Sequence, residues 1–199
     1  MARVQPLAQQ FRIARQRTAE ATHRLVVRTA KAEHQRIMQT APRPLTFRRY
    51  VDGAIGAPEE AVRANGVILY EYPRLDIVAA FALETLRQRS PVASGLYRDS
   101  HTLFLNGAAV ADLEAWVPGA DVAISNPVPY ARKIELGVMT MRVPGHVYET
   151  TAQIVRARFG NVATVRFTYR TLAGAAVGKS RTENAQLRFP ALAIREAGA

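Results

Sequence analysis

The stretch Val147–Leu172, VYETTAQIVRARFGNVATVRFTYRTL, changes its period halfway along. From Val147 to Phe159 it contains no Gly or Pro, and Ile154, Ala157 and Arg158 fall on successive turns, so the spacing predicts a helix. Gly160-Asn161 ends that helix. In Ala163–Leu172 the residues Val165, Phe167 and Tyr169 alternate with Thr164, Arg166, Thr168 and Arg170, the pattern of a half-buried antiparallel strand. A helix running directly into such a strand sets the fold class: α+β, a small mainly antiparallel sheet with helices packed on one face.

The flanking sequence fits that class. Leu75–Arg89 reads as a helix, with Asp76 as N-cap, Ile77, Ala80, Phe81, Glu84 and Gln88 at helical spacing, and Ser90-Pro91 as its stop. Val67–Tyr72, Thr102–Leu105 and Val122–Ser125 read as short strands. Asn106-Gly107 is a hairpin signal, and Val110–Val117 is the candidate return strand, against the polar content of Asp112 and Glu114. Tyr130–Leu136 reads as a short helix or an irregular segment. Gly137–Gly145 reads as a loop with glycine hinges, and Ala185–Phe189 as a short terminal strand.

Toward the N-terminus the character changes. Pro6–Gln39 has no internal Gly or Pro and predicts one long helix, ended by Ala41-Pro42-Arg43-Pro44. Val4, Leu7, Phe11, Ala14, Thr18, Ala21, Leu25 and Ala32 form a weakly apolar stripe along it. That stripe could pack on the helix's own domain, on another chain or on DNA. Phe47–Asn65 reads as irregular, with turn signals at Asp52-Gly53, Gly56, Pro58 and Asn65-Gly66. The expected organisation is a basic helical arm at 1–49, a linker or packed loop at 50–66, and an α+β domain at 67–199.

Charge follows the same division. The 199-residue chain carries a net +11, of which Met1–Arg49 holds +9 and the remainder +2. Arg12, Arg15, Arg17, Arg24, Arg28, Lys31 and Arg36 are the candidate residues facing DNA or an acidic partner. Phe11 is the sole aromatic residue before Phe47, which favours phosphate contact over base stacking. There is no cysteine, so disulfides, thiolate zinc sites and thiol nucleophiles are excluded. No apolar run reaches the ~20 residues of a membrane span. Met1–Phe11 is polar and has no signal-peptide core behind it.

A search for catalytic chemistry yields no candidate catalytic, cofactor-binding or metal-ligating residue. Gly174–Ser180 is one residue short of a phosphate-binding loop. His23, His34, His101 and His146 read as helix-surface or loop histidines. Ser94-Gly95 and Ser100-His101 lack the strand–elbow–helix context of a hydrolase nucleophile. The expectation is a non-enzyme with no cofactor.

Two segments are more specific. SPVASGLYRDS spans Ser90–Ser100, and VAISNPVPYARKIELG spans Val122–Gly137. Their order and the hairpin between them resemble the tailed-bacteriophage neck and tail-completion proteins, also called minor tail or head–tail joining proteins. The resemblance covers Leu75–Leu172. Tyr97 departs from the aliphatic residue usual before the arginine, and Pro6–Asn65 has no counterpart in the shortest relatives.

Ser90, Pro91, Gly95, Arg98, Ser100, Asn126, Tyr130, Ala131, Glu135 and Gly137 carry the resemblance as a candidate fold or subunit-contact motif. Gly95 is expected in a positive-φ turn. A bidentate pair between Arg98 and Glu135 is a further expectation. Val138, Met139, Met141 and Val143 make a candidate interface loop.

The resemblance implies a structural virion protein at the head–tail junction, present in the host cytoplasm before assembly. It would form a ring of six or twelve copies, between a portal-side head adaptor and a tail terminator, through which DNA passes. Non-specific contact with packaged DNA and no membrane association go with that role. The alternative from the residues alone is a nucleic-acid-binding module that uses the basic helix.

Overall fold

The structure is a computed structural model and describes residues 6–139, 145–172 and 188–197. The chain divides into two compact units, Met1–Tyr72 and Pro73–Ala199. Helices and antiparallel sheets together make the class α+β.

In the first unit, α1 (Leu7–Gln39) is a single unbroken helix. It packs on a three-stranded antiparallel sheet of order β2-β1-β3, made of β1 (Arg48–Val51), β2 (Ala54–Ile55) and β3 (Ile68–Glu71). The stretch expected to be irregular therefore contains two strands and a 3-10 turn at Glu59–Ala61. The turn signal at Asp52-Gly53 closes a tight hairpin, in which both residues have positive φ between β1 and β2, and of the two alternatives the stretch is packed, with Val51, Glu59 and Val62 buried. The strand at Ile68–Glu71 pairs with β1, so it belongs to the arm's unit and not to the C-terminal sheet.

The face α1 buries differs from the face its apolar stripe predicts. Val27 is its one buried residue among those described, and it packs with Val51 and Val62. The His34 ring stacks on Tyr70 at 4.5 Å and meets Phe47 at 4.3 Å. Val27 is two residues from Leu25, about 200° around a helix. The stripe of Leu7, Phe11 and Leu25 consequently points outward, with exposures of 70, 68 and 52%.

The second unit is built on a five-stranded antiparallel sheet of order β5-β4-β6-β8-β7. Its strands are β4 (Thr102–Leu105), β5 (Ala108–Val110), β6 (Val122–Ser125), β7 (Ala163–Arg170) and β8 (Phe189–Glu196). In register, Leu103, Leu105, Val122, Ile124, Val165, Leu192 and Ile194 share one face, and all are buried. The helices α2 (Leu75–Arg89) and α5 (Val147–Phe159) pack on the sheet and on each other.

Several local expectations are corrected. The buried face of α2 is Leu75, Val78, Ala79, Ala82, Thr85 and Leu86, while Ala80, Glu84 and Gln88 are exposed. Asp76 lies in its first turn, ion-paired to Arg74, and is not the N-cap. In α5 the buried face is Val147, Tyr148, Thr151, Ala152 and Val155. The return strand of the Asn106-Gly107 hairpin begins at once, at Ala108, as a two-residue turn requires. The terminal strand extends through Pro190 to Glu196. Proline is tolerated there because pairing with β6 begins at the next residue, Ala191, so no N–H is needed on that side.

Candidate functional site

At one end of the five-stranded sheet, residues of the two specific segments meet two residues from outside them. Ser90 caps α2, His101 precedes β4, Asn126 follows β6, and Tyr148 lies in the first turn of α5. All four are buried, and their polar atoms form one hydrogen-bonded cluster.

The bond pattern fixes the protonation of that cluster. Ser90 donates its single hydroxyl hydrogen to the Leu86 carbonyl at 2.7 Å. It must then accept from His101 Nε2–H, also at 2.7 Å. His101 Nδ1 in turn accepts from the Tyr148 hydroxyl at 2.8 Å and, more distantly, from Asn126 Nδ2 at 3.4 Å. Asn126 Nδ2 also donates to the Tyr97 carbonyl at 2.7 Å, and its Oδ1 accepts from the Val128 N–H at 3.2 Å. Desolvation by burial, with help from the Arg87 charge, lowers the His101 pKa to about 4, so the ring is neutral.

This arrangement is opposite to nucleophile activation. A serine nucleophile needs the unprotonated ring nitrogen facing its hydroxyl. Here the protonated nitrogen faces Ser90, whose own proton is already held by a helix carbonyl. The pair ties the end of α2 to the start of β4. His101, expected as a loop or surface histidine, is thus a buried structural residue.

Glu135 is the second anchor. It ends α4 (Ala131–Glu135) and is 1% exposed. Its carboxylate accepts the N–H groups of Tyr148 at 2.9 Å and Glu149 at 3.0 Å, two of the free donors at the start of α5. His146 stands at the N-cap position in the left-handed region and makes no side-chain cap bond, so Glu135 supplies the cap from thirteen residues upstream. Burial raises its pKa, opposed by those two backbone bonds. The expected pair with Arg98 is absent. Arg98 forks instead onto Asp99, with bonds of 2.8 and 3.2 Å. A neighbour one residue away closes the pair without loop ordering, and Glu135 is already engaged by α5.

The remaining motif residues support this frame. Gly95 has φ +86° at the start of α3 (Leu96–Asp99), as expected for its turn. Ser100 ends α3 and donates to the Leu96 carbonyl at 2.6 Å. Pro91 directly follows the α2 cap. Ala131 is fully buried, and the half-buried Tyr130 lies with its ring centre 6.4 Å from that of Tyr97.

A Cβ on Gly145 would come within 3.0 Å of the Gly137 Cα, and His146 N–H donates to the Glu135 carbonyl at 2.9 Å. The two glycines let the ends of the loop close tightly on each other. In that loop Val138 is exposed and Met139 half-buried, while Met141 and Val143 lie outside the described residues, as does Gly174–Ser180.

The first unit contains a polar cluster that no local pattern in the sequence signals. Glu59 is buried, and Arg49 Nη1 donates to both its oxygens at 3.0 Å, with Tyr70 donating as well. Burial pushes its carboxyl up, but the bonds from Tyr70, its own backbone and Arg49 prevail and hold it at about 2. Burial and Glu59 push Tyr70 up to about 12. His34 stacks on Tyr70 and bonds the Tyr72 hydroxyl at 2.8 Å, while His23 bonds the Glu60 carbonyl at 3.1 Å. Both were expected on an open surface.

The basic residues of α1 divide into two sets. Lys31 is paired with Glu60, and Arg36 with Glu33. Arg12, Arg15, Arg17, Arg24 and Arg28 are exposed and form no ion pair among the described residues. No group of three His, Asp or Glu residues is placed to hold a metal ion among the described residues. No described helix is long and apolar enough to cross a membrane.

No protein-family model matches the chain, and no curated protein or solved structure matches it significantly.

Proposed function

We propose that the chain is a structural, non-enzymatic virion protein of the tailed-phage neck, one subunit of a ring that joins the head adaptor to the tail terminator. One observation carries this reading. The two segments that resemble the neck family are separate in sequence, yet a buried hydrogen bond from Asn126 Nδ2 to the Tyr97 carbonyl joins them. Exposed apolar side chains lie in the same segments (Val92, Leu96 and Leu136) or directly after the second (Val138), and these suit subunit contacts. Such contacts would be head-to-tail, so that the assembly closes into a ring.

The test is electron microscopy of particles assembled without this chain. DNA-filled heads separated from complete tails are the expected result, and normally joined virions refute the proposal. The unpaired arginines of α1 favour a second reading, a duplex-binding module. It predicts binding that weakens steeply with salt and disappears when residues 1–49 are removed.

A further inference from the structure

We propose that the outward face of α1 is a docking seam for an amphipathic helix with acidic flanks, carried by a partner protein. The inference goes beyond the neck reading and does not rest on it.

Leu7, Phe11, Ala14, Thr18, Ala21 and Leu25 repeat at alternating spacings of four and three, the seam of a heptad pattern. They lie on the side of α1 opposite Val27, so the sheet of their own unit does not cover them. Leu7, Phe11 and Leu25 are large and more than half exposed, whereas Ala14, Thr18 and Ala21 let a second backbone approach closely. Arg28 falls at the next seam position and ends the apolar run. The seam is about 27 Å long at ~1.5 Å per residue, enough for a partner helix of three heptads.

The charges select the partner. The positions bordering the seam carry Arg15 on one side and Arg17 and Arg24 on the other, all exposed and without ion pairs among the described residues. The acids of the helix, Glu20 and Glu33, occupy neither border. In heptad pairing these border positions face the partner's borders and set partner choice. Acidic residues there would pair with the arginines. A second copy running antiparallel with the seams fully overlapped would set Arg15 and Arg17 each against its own equivalent, a repulsive contact. DNA fits less well too. A phosphate-binding face presents its cations at the centre, whereas the centre here is Leu7, Phe11 and Leu25, which phosphates cannot desolvate favourably.

The test uses the full chain and a fluorescent three-heptad peptide with Leu and Ala at its seam and Glu at its borders. The control peptides carry Lys at the borders or a scrambled seam, and a short DNA duplex serves as a further probe. Binding of the acidic peptide alone is expected. The triple variant Leu7→Glu, Phe11→Glu, Leu25→Glu should weaken it about 100-fold or more. These sites are exposed, and far-UV circular dichroism checks that the helix persists.

Replacing Arg15, Arg17 and Arg24 by Ser should also weaken binding and flatten its salt dependence. Three results overturn the proposal. One is acidic-peptide binding that is absent or indifferent to the triple variant. Another is tight duplex binding with no peptide binding. The third is self-association of the chain alone, seen by sedimentation, that the triple variant abolishes. None of these would alter the outcome of the particle experiment, so the two proposals fail separately.

Discussion

Protonating His101 should unlock the second unit. The ring is buried and neutral, with Nδ1 accepting from Tyr148 and Nε2–H donating to Ser90. Its pKa is lowered from 6.5 to about 4 in the fold. The unfolded chain therefore binds the proton more readily, and stability rises with pH across that interval. The contribution is fully present above pH 6.5 and is lost progressively down to pH 4. The depression of about 2.5 units corresponds to about 3 kcal/mol, a large part of a typical domain's stability.

Urea unfolding at a series of pH values measures this loss. Trp116, the single tryptophan, is buried in the second unit and reports on it by fluorescence. Glu59, in the first unit, has its pKa lowered from 4.5 to about 2, so its contribution falls mostly in a lower pH window and meets that of His101 only between pH 4 and 4.5. The His101→Gln variant should start less stable and lose the rise of stability with pH between 4 and 6.5, leaving the opposite slope that the raised pKa of Glu135 gives. In the intact protein the His101 ring should titrate near pH 4 by NMR. A ring midpoint near 6.5, or an equal slope in the variant, would refute the reasoning.

Other predictions concern the same frame. The Tyr97 hydroxyl is buried with no partner, so Tyr97→Phe should leave stability unchanged or raise it by up to about 1 kcal/mol. Tyr148→Phe removes the principal donor to His101 Nδ1 and should cost about 1–2 kcal/mol in the same urea assay. Gly95→Ala should cost about 1–2 kcal/mol, because alanine resists φ +86° and its Cβ would press on Asp99 Oδ2 at 3.2 Å. Glu135→Ala frees two N–H groups at the start of α5 and should cost about 2 kcal/mol, with faster amide exchange at Tyr148 and Glu149. Glu135→Gln retains one acceptor oxygen and should lose about half as much.

The fold class and most helix limits were legible because they rest on local chemistry. Leu75–Arg89 and Val147–Phe159 are bounded by Ser-Pro and Gly signals, and both limits match the structure. The faces those helices bury were less legible. In α2 and α5 small residues such as Ala79, Ala82 and Ala152 are buried beside Thr85 and Thr151, so side-chain size gave a weak contrast. The N-terminal sheet escaped notice because β2 is two residues long and its partners come from either side of a turn-rich stretch. His101 and Tyr148 are 47 residues apart, and no local pattern links them. Their partnership follows from the antiparallel order of the sheet and from Glu135 fixing where α5 begins.

The burial of the motif divides its labour. Ser90, Asn126, Ala131 and Glu135 are at most 7% exposed and cannot touch a neighbouring subunit in this conformation. They hold together the ends of α2, β6, α4 and α5. The exposed apolar side chains stand in the same two segments or directly after the second: Val92 at 63%, Leu96 at 56%, Leu136 at 48% and Val138 at 65%. Removing a buried member should therefore lower stability wherever it is measured. Replacing Leu96 or Val138 with Ser should leave the isolated chain's unfolding within about 0.5 kcal/mol of the original and act on assembly alone. On the arm, Arg15, Arg17 and Arg24 border an apolar seam, so replacing Leu7, Phe11 and Leu25 and replacing those arginines probe the apolar and the charged part of that face separately.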